Sequence, residues 1–275
     1  MMWTERILQP LADFNYVNKQ GINGPIWTLI AFDTADYEIP VVQDSGTQVT
    51  RQLLIQEILN KQLSDGGWSL DQTTADLDTT AMAVQAMSPY YQTNSAVKMA
   101  VDKAILFMSA MQKYDGGYSS FGNENSEICA QVIVALSSLG IDADADQRFV
   151  KGGKSVLDAL LSFYVQGGGF SHTKINEVDG MATEQGYYAL VSYLRYLEKR
   201  PGLYDMNDVI KTENPVVSVP IEDDYRPEEE SESFVKDDIT PNTSDFELIG
   251  YMLPVLAVFV IFILSYRKSR RHTDL

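Results

Sequence analysis

The sequence predicts an all-α protein built from repeated helix pairs, and three observations carry that expectation. A glycine phrase recurs as QLSDGGW at 62–68, QKYDGGY at 112–118 and a shortened QGGGF beginning at Gln166. Apolar segments with helical periodicity lie between the copies, and they alternate between two compositions. One set is Ala-rich and apolar on most sides, whereas the other is interrupted by charges. A period of roughly fifty residues marks a chain whose single unit cannot bury its own apolar face, so that neighbours stack into one continuous core.

The Ala-rich set begins at Asn23-Gly24-Pro25-Ile26-Trp27 and continues in segments 78–87, 127–136 and 182–190. Matching Ala31-Phe32, Ala86-Met87, Ala135-Leu136 and Ala189-Leu190 puts all four segments in one register. Helices apolar all round belong to a tightly packed inner layer. The second set covers about 50–63, 95–112 and 153–165, where Arg51, Lys98, Asp102, Lys103 and Asp158 break the apolar runs, as a half-solvated outer layer requires. The glycine phrases are the turns between them, and Trp68, Tyr118 and Phe170 are expected to bury their rings as staples between adjacent repeats. Gly152-Gly153-Lys154-Ser155 lacks the spacing of a phosphate loop and reads as a helix start.

QLSDGGW fits the QxxxGxW repeat of the terpenoid cyclase and protein prenyltransferase superfamily. Asp76-Leu77-Asp78-Thr79-Thr80-Ala81 is similar to the DxDDTA segment of its squalene–hopene cyclase branch. The resemblance covers about residues 20–198 and implies an (α/α) toroid, a ring of helix pairs whose inner helices line a central cavity. With seven or eight helices the ring is expected to be incomplete, the remainder coming from an upstream stretch or a second subunit. The repeats alone also allow a stacked solenoid with exposed ends.

Composition divides the chain into a repeat domain at 1–200, an acidic stalk at 201–247, a transmembrane helix at 248–266 and a basic tail at 267–275. Between Leu203 and Glu247, fourteen acidic residues stand against Lys211, Arg226 and Lys236, with four prolines among them. Such a segment buries too little apolar surface to fold alone and is extended by self-repulsion. It supplies most of the net charge of −17, which argues against nucleic-acid binding. Leu248 to Tyr266 carries no formal charge and is followed by Arg267, Lys268, Arg270 and Arg271, the pattern of a single-pass span with a cytoplasmic C-terminus and an extracellular repeat domain. No LPxTG motif precedes it. Met1 to Arg6 does not resemble a signal peptide. The chain is expected to be N-terminally truncated, which accounts for both the missing leader and the missing helices; a tail-anchored protein facing the cytoplasm is the other possibility.

The resemblance assigns possible catalysis to Asp78, at the place of the proton-donating carboxylic acid, with Asp76 beside it; Thr79 stands where the family has its last aspartate. Asp78 is also in register with Asn23 and close to Ser126, as a residue capping the first turn of an inner helix would be. The prenyltransferase zinc site needs an aspartate, a cysteine and a histidine. Cys129 is on an inner helix, but His172 is in a loop and His272 in the tail, so no metal or cofactor is expected and Cys129 reads as a small core residue. Cobalamin carriers share the toroid and have inner helices similar to Asp78-Thr79-Thr80-Ala81-Met82-Ala83. A ligand at the mouth of the ring would meet Trp27, Gln131, Glu184, Gln185, Tyr187 and Tyr188, near the starts of inner helices. The expected function is a membrane-anchored module binding a small molecule, apolar or cobamide-like, or a surface protein. A cyclase-like enzyme using Asp78 and a degenerate fragment without independent function are the alternatives.

Overall fold

Alternation of inner and outer helices organises the computed structural model, which describes residues 8–42, 46–120 and 123–209. After a helical turn at Phe14–Val17, the chain forms α1 (Asn23–Asp33), α2 (Arg51–Asn60), α3 (Leu77–Met87), α4 (Ser95–Met111), α5 (Ser126–Ser138), α6 (Val156–Leu161) and α7 (Gly180–Leu197). The inner helices α1, α3, α5 and α7 pack side by side in chain order, while α2, α4 and α6 each lie outside the inner helix that precedes them. In α5 every residue from Ser126 to Ser137 is buried, the environment that an all-round apolar helix demands.

Each inner helix from α3 onward starts on a polar side chain that accepts a hydrogen bond from the backbone N–H three residues on: Asp76 from Thr79 at 2.7 Å, Asn125 from Ile128 at 3.0 Å and Asp179 from Ala182 at 2.8 Å. Among the outer helices, Thr50 caps α2, and Ser155 and Asp158 form a reciprocal capping box on α6. Two short antiparallel hairpins, Ser119–Ser120 with Asn123–Glu124 and Val150–Lys151 with Lys154–Ser155, precede α5 and α6. The second begins α6 later than the expected outer helix, although Ser155 does serve as its start.

The glycine turns join each repeat to the next. Gln62 Nε2 donates to the carbonyl of Gly66 in its own turn and to that of Ala100 on α4, both at 2.8 Å. Gln112 does the same with Gly116 and Phe149, at 2.9 and 2.8 Å. Trp68, Tyr118 and Phe170 are completely buried, as expected of staples. The Trp68 indole N–H reaches the Ile58 carbonyl at 2.7 Å, and its backbone N–H reaches the Thr80 hydroxyl on α3 at 2.9 Å.

The third turn corrects the register read from sequence. Val165 N–H donates to Gly169, as Leu63 does to Gly67 and Lys113 to Gly117. Tyr164 therefore stands in the place of Gln62 and Gln112, and Gln166 lies inside the turn. Aromatic packing replaces the glutamine: Phe170 meets Tyr164 and Tyr187 edge-on, each at 5.6 Å between ring centres.

The compact unit continues through Asp208, past the expected boundary at residue 200. Residues 201–208 form a strap held by Arg195, which is buried and donates to the carbonyls of Pro201 and Asp205 and to the Asp208 carboxylate. Arg200 also grips Asp208. The strap leads from the end of α7 back to α1, where Met206 N–H donates to Thr34 at 2.8 Å and Tyr204 packs edge-on against Trp27. The expected span 248–266 lies outside the described residues; among those described, no helix is long and apolar enough to cross a membrane.

Candidate functional site

Asp78 lies within the first turn of α3 and is not its cap; Asp76 fills that role. The expectation that Asp78 caps the helix fails because the accepting residue must precede the first turn, three positions before the N–H it receives. Asp78 is partly buried, and burial together with the carboxylates of Asp76 and Glu127 pushes its pKa up to about 6. Between its ordinary value and about 6 the folded chain retains a proton that the unfolded chain has lost, so stability falls as pH rises through that window. Asp78→Asn removes the charge and is expected to stabilise the protein by about 2 kcal/mol at pH 7, the advantage fading as pH falls from about 6 to about 4. Urea unfolding of both forms at pH 3.5, 5 and 7 checks this.

Glu127, at the equivalent position of α5, is buried, and its Oε1 lies 2.7 Å from His172 Nδ1. Ser126 ties the same loop down by donating its backbone N–H to the His172 carbonyl at 3.1 Å. Cys129 takes the position that Thr80 and Thr183 occupy in the neighbouring inner helices: both hydroxyls contact their glycine turn and that of Thr80 also donates to the Asp76 carbonyl, whereas the thiol contacts the Asn125 carbonyl at 3.8 Å. Burial pushes the thiol up to about 12, as befits an inert core residue. Among the described residues no group of histidine, cysteine and carboxylate side chains is arranged to hold a metal ion.

The six expected ligand contacts divide. Gln131, Gln185 and Tyr188 form one network: Gln131 Nε2 donates to Gln185 Oε1 at 3.1 Å and to the Tyr188 hydroxyl at 2.5 Å. Gln85 extends it across α3, giving both amide protons to Gln131, one to its carbonyl at 3.0 Å and one to Oε1 at 2.9 Å. Tyr187 is a packing residue of the third turn, against Phe170 and the Gly168 carbonyl. Glu184 is exposed, and Trp27 is half-covered by Tyr204.

A cavity of about 470 Å³ opens at the other ends of the inner helices, between the C-terminal turns of α1, α3 and α5 and the strap. Asp33, Arg51, Gln85, Tyr90, Tyr204 and Asp205 are among its walls. Arg51, which sequence placed on a solvated outer face, turns inward: its Nε donates to Asp33 at 2.7 Å and its guanidinium also reaches the carbonyls of Phe32 and Tyr37. The Tyr90 hydroxyl donates to the other Asp33 oxygen at 2.7 Å, and burial beside that carboxylate raises its pKa. Asp78 does not line this cavity. It stands seven residues before Gln85 on α3, about 10 Å along the axis. Sequence reasoning missed these walls because they come from five separated stretches of the chain.

Helix pairs in an inner and an outer row, joined by glutamine-anchored glycine turns, define a class of α/α repeat protein. Residues 45–160 match the family model of the squalene-hopene cyclase C-terminal domain, which supports the resemblance of the repeat region to the terpenoid cyclase and protein prenyltransferase superfamily. The match spans the first two turns and ends ahead of the third, where Tyr164 stands at the glutamine position. Neither a curated protein nor a solved structure matches the chain.

Proposed function

We propose that the chain is a membrane-anchored binding module, its repeat domain extracytoplasmic, that takes its ligand in the cavity under the strap rather than transforming a polyprenyl chain at Asp78. The observation that carries this reading is the separation of the two: the cavity is walled by mixed polar and apolar side chains, and the carboxyl group best placed for acid chemistry is not in it. With its pKa at about 6, Asp78 also holds its proton in only about one molecule in ten at pH 7, a poor resting state for a group that must protonate an alkene.

The cyclase reading keeps one observation in its favour, the upward shift of Asp78 itself. The two are separated by incubating the protein with squalene and with linear prenyl diphosphates and analysing the products by mass spectrometry. No cyclised product is expected from wild type or from Asp78→Asn. A cyclic terpenoid made by wild type and lost in the variant would establish the enzyme.

Membrane attachment rests on the uncharged segment 248–266 and the cationic cluster after it. Protease added to intact cells is expected to cut near Glu228 to Glu232 and release a soluble repeat domain, leaving the basic tail protected. Full protection of the repeat domain would place it in the cytoplasm.

A further inference from the structure

The strap is bound unequally to the two banks of the cavity. Toward α7 it is braced by charge-assisted hydrogen bonds: buried Arg195 donates to the carbonyls of Pro201 and Asp205 and to one Asp208 oxygen, and Arg200 donates to the other at 2.8 and 3.0 Å. Its own curl is fixed by Asp205 N–H on the Gly202 carbonyl and by Asn207, whose backbone and side-chain N–H both reach the Asp205 carboxylate. The strap is thus one piece fastened to the end of α7. Because its acceptors converge on a single guanidinium, Arg195 holds it at a pivot rather than along its length.

The α1 bank is different. Among the described residues, one hydrogen bond joins the strap to it, Met206 N–H to the Thr34 carbonyl at 2.8 Å, and one ring contact, Tyr204 edge-on to Trp27 at 5.9 Å. Solvent reaches both, since Met206 is exposed and Trp27 only half-covered. Every other wall of the cavity belongs to a helix or to a turn that directly ends one, and is held by helical backbone bonds. The irregular strap is therefore the wall that costs least to move. Firm bonds on one edge and exposed, weak ones on the other are the construction of a flap.

We propose that residues 201–208 form a lid on the cavity, hinged on the end of α7 by Arg195 and latched to α1 by Met206 and Tyr204. In the open form the latch is broken, Arg195 keeps its hold and every helix stays in place. That the opening serves entry of a ligand rests on the binding-module reading given above.

The test introduces a thiol behind the lid by Val134→Cys, in the full-length protein in detergent micelles. Val134 borders the cavity and is 1 % exposed. Native Cys129 is completely buried and is not among the cavity walls, so it reacts on global unfolding and serves as the internal reference. Both thiols are labelled with methyl methanethiosulfonate over time and resolved by peptide mass spectrometry. The introduced thiol is expected to react faster than Cys129 and more slowly than it does in urea, as an opening that leaves the helices intact requires. Tyr204→Ala removes half of the latch and is expected to raise that rate about tenfold with Cys129 unchanged, whereas Tyr204→Phe keeps the ring and restores the original rate. If Val134→Cys does not fold, Ala86→Cys on the α3 wall of the same cavity takes its place. The lid is overturned by parallel labelling of the two thiols, by labelling at the urea rate before any change at Tyr204, by a Tyr204→Ala rate that is unchanged or rises together with that of Cys129, or by equal rates in Tyr204→Ala and Tyr204→Phe. None of these outcomes involves a ligand, so the binding-module reading stands or falls separately, on the appearance of a cyclised product.

Discussion

Trp68→Ala is expected to destabilise the repeat domain by about 3–5 kcal/mol, measured as a fall in the urea midpoint at constant slope. The indole is completely buried, so the substitution opens a ring-sized void that the surrounding helices fill only in part. It also removes the indole donor from the Ile58 carbonyl, which keeps only the Lys61 N–H. Trp68→Phe separates the two contributions, since it fills most of the space and loses the hydrogen bond; about 1–2 kcal/mol is expected there. A loss under about 1 kcal/mol in Trp68→Ala would mean that the ring is not a staple.

Gly116→Ala should cost about 3 kcal/mol or more, by a different mechanism. Gly116 has φ +83°, and a Cβ there would sit 2.4 Å from the Ser155 carbonyl oxygen and 2.9 Å from that of Lys154, at the start of α6. Neither contact is the movable end of a side chain. Gly153 has nearly the same backbone angle, φ +76°, and open space around the added carbon. Gly153→Ala thus reports backbone strain alone, about 1–2 kcal/mol, and the difference between the two variants measures how closely α6 approaches the second turn. Equal losses would show that the turn glycine serves conformation only and that the repeats are not in close backbone contact.

The inner layer was legible in sequence because its physical requirement is written along the helix: a helix buried on all sides must be largely small and apolar, as Val132 to Leu136 are. The staples were legible because a bulky ring after two glycines has few places to go. Assigning the cap to Asp78 overlooked a regularity in plain view, that Asp76 stands three residues before Thr79 just as Asn125 does before Ile128 and Asp179 before Ala182. In the third turn three consecutive glycines permit more than one alignment, and only the hydrogen bond from Val165 to Gly169 chooses between them. The strap was taken for the start of the stalk because acidity and glycine signal an unfolded segment in isolation; its order depends on Arg195, a contact partner that composition does not reveal. The cavity had no sequence signature at all, since periodicity describes how one helix meets its neighbours and not where three helix ends converge.

The strap also changes how the array should come apart. In a linear stack each repeat is held only by its neighbours, so the terminal pair can unravel while the middle remains intact, and stability is graded along the chain. Here Gln62 and Gln112 tie each turn forward to the next pair, but the last inner helix is tied back to the first through Arg195, Met206 and Tyr204. An end that is fastened to the opposite end is no longer free to fray. The energetic consequence is that partial states lose their advantage: releasing α7 also releases the cover of α1, and the domain gains the all-or-none character of a closed structure from eight residues of irregular chain.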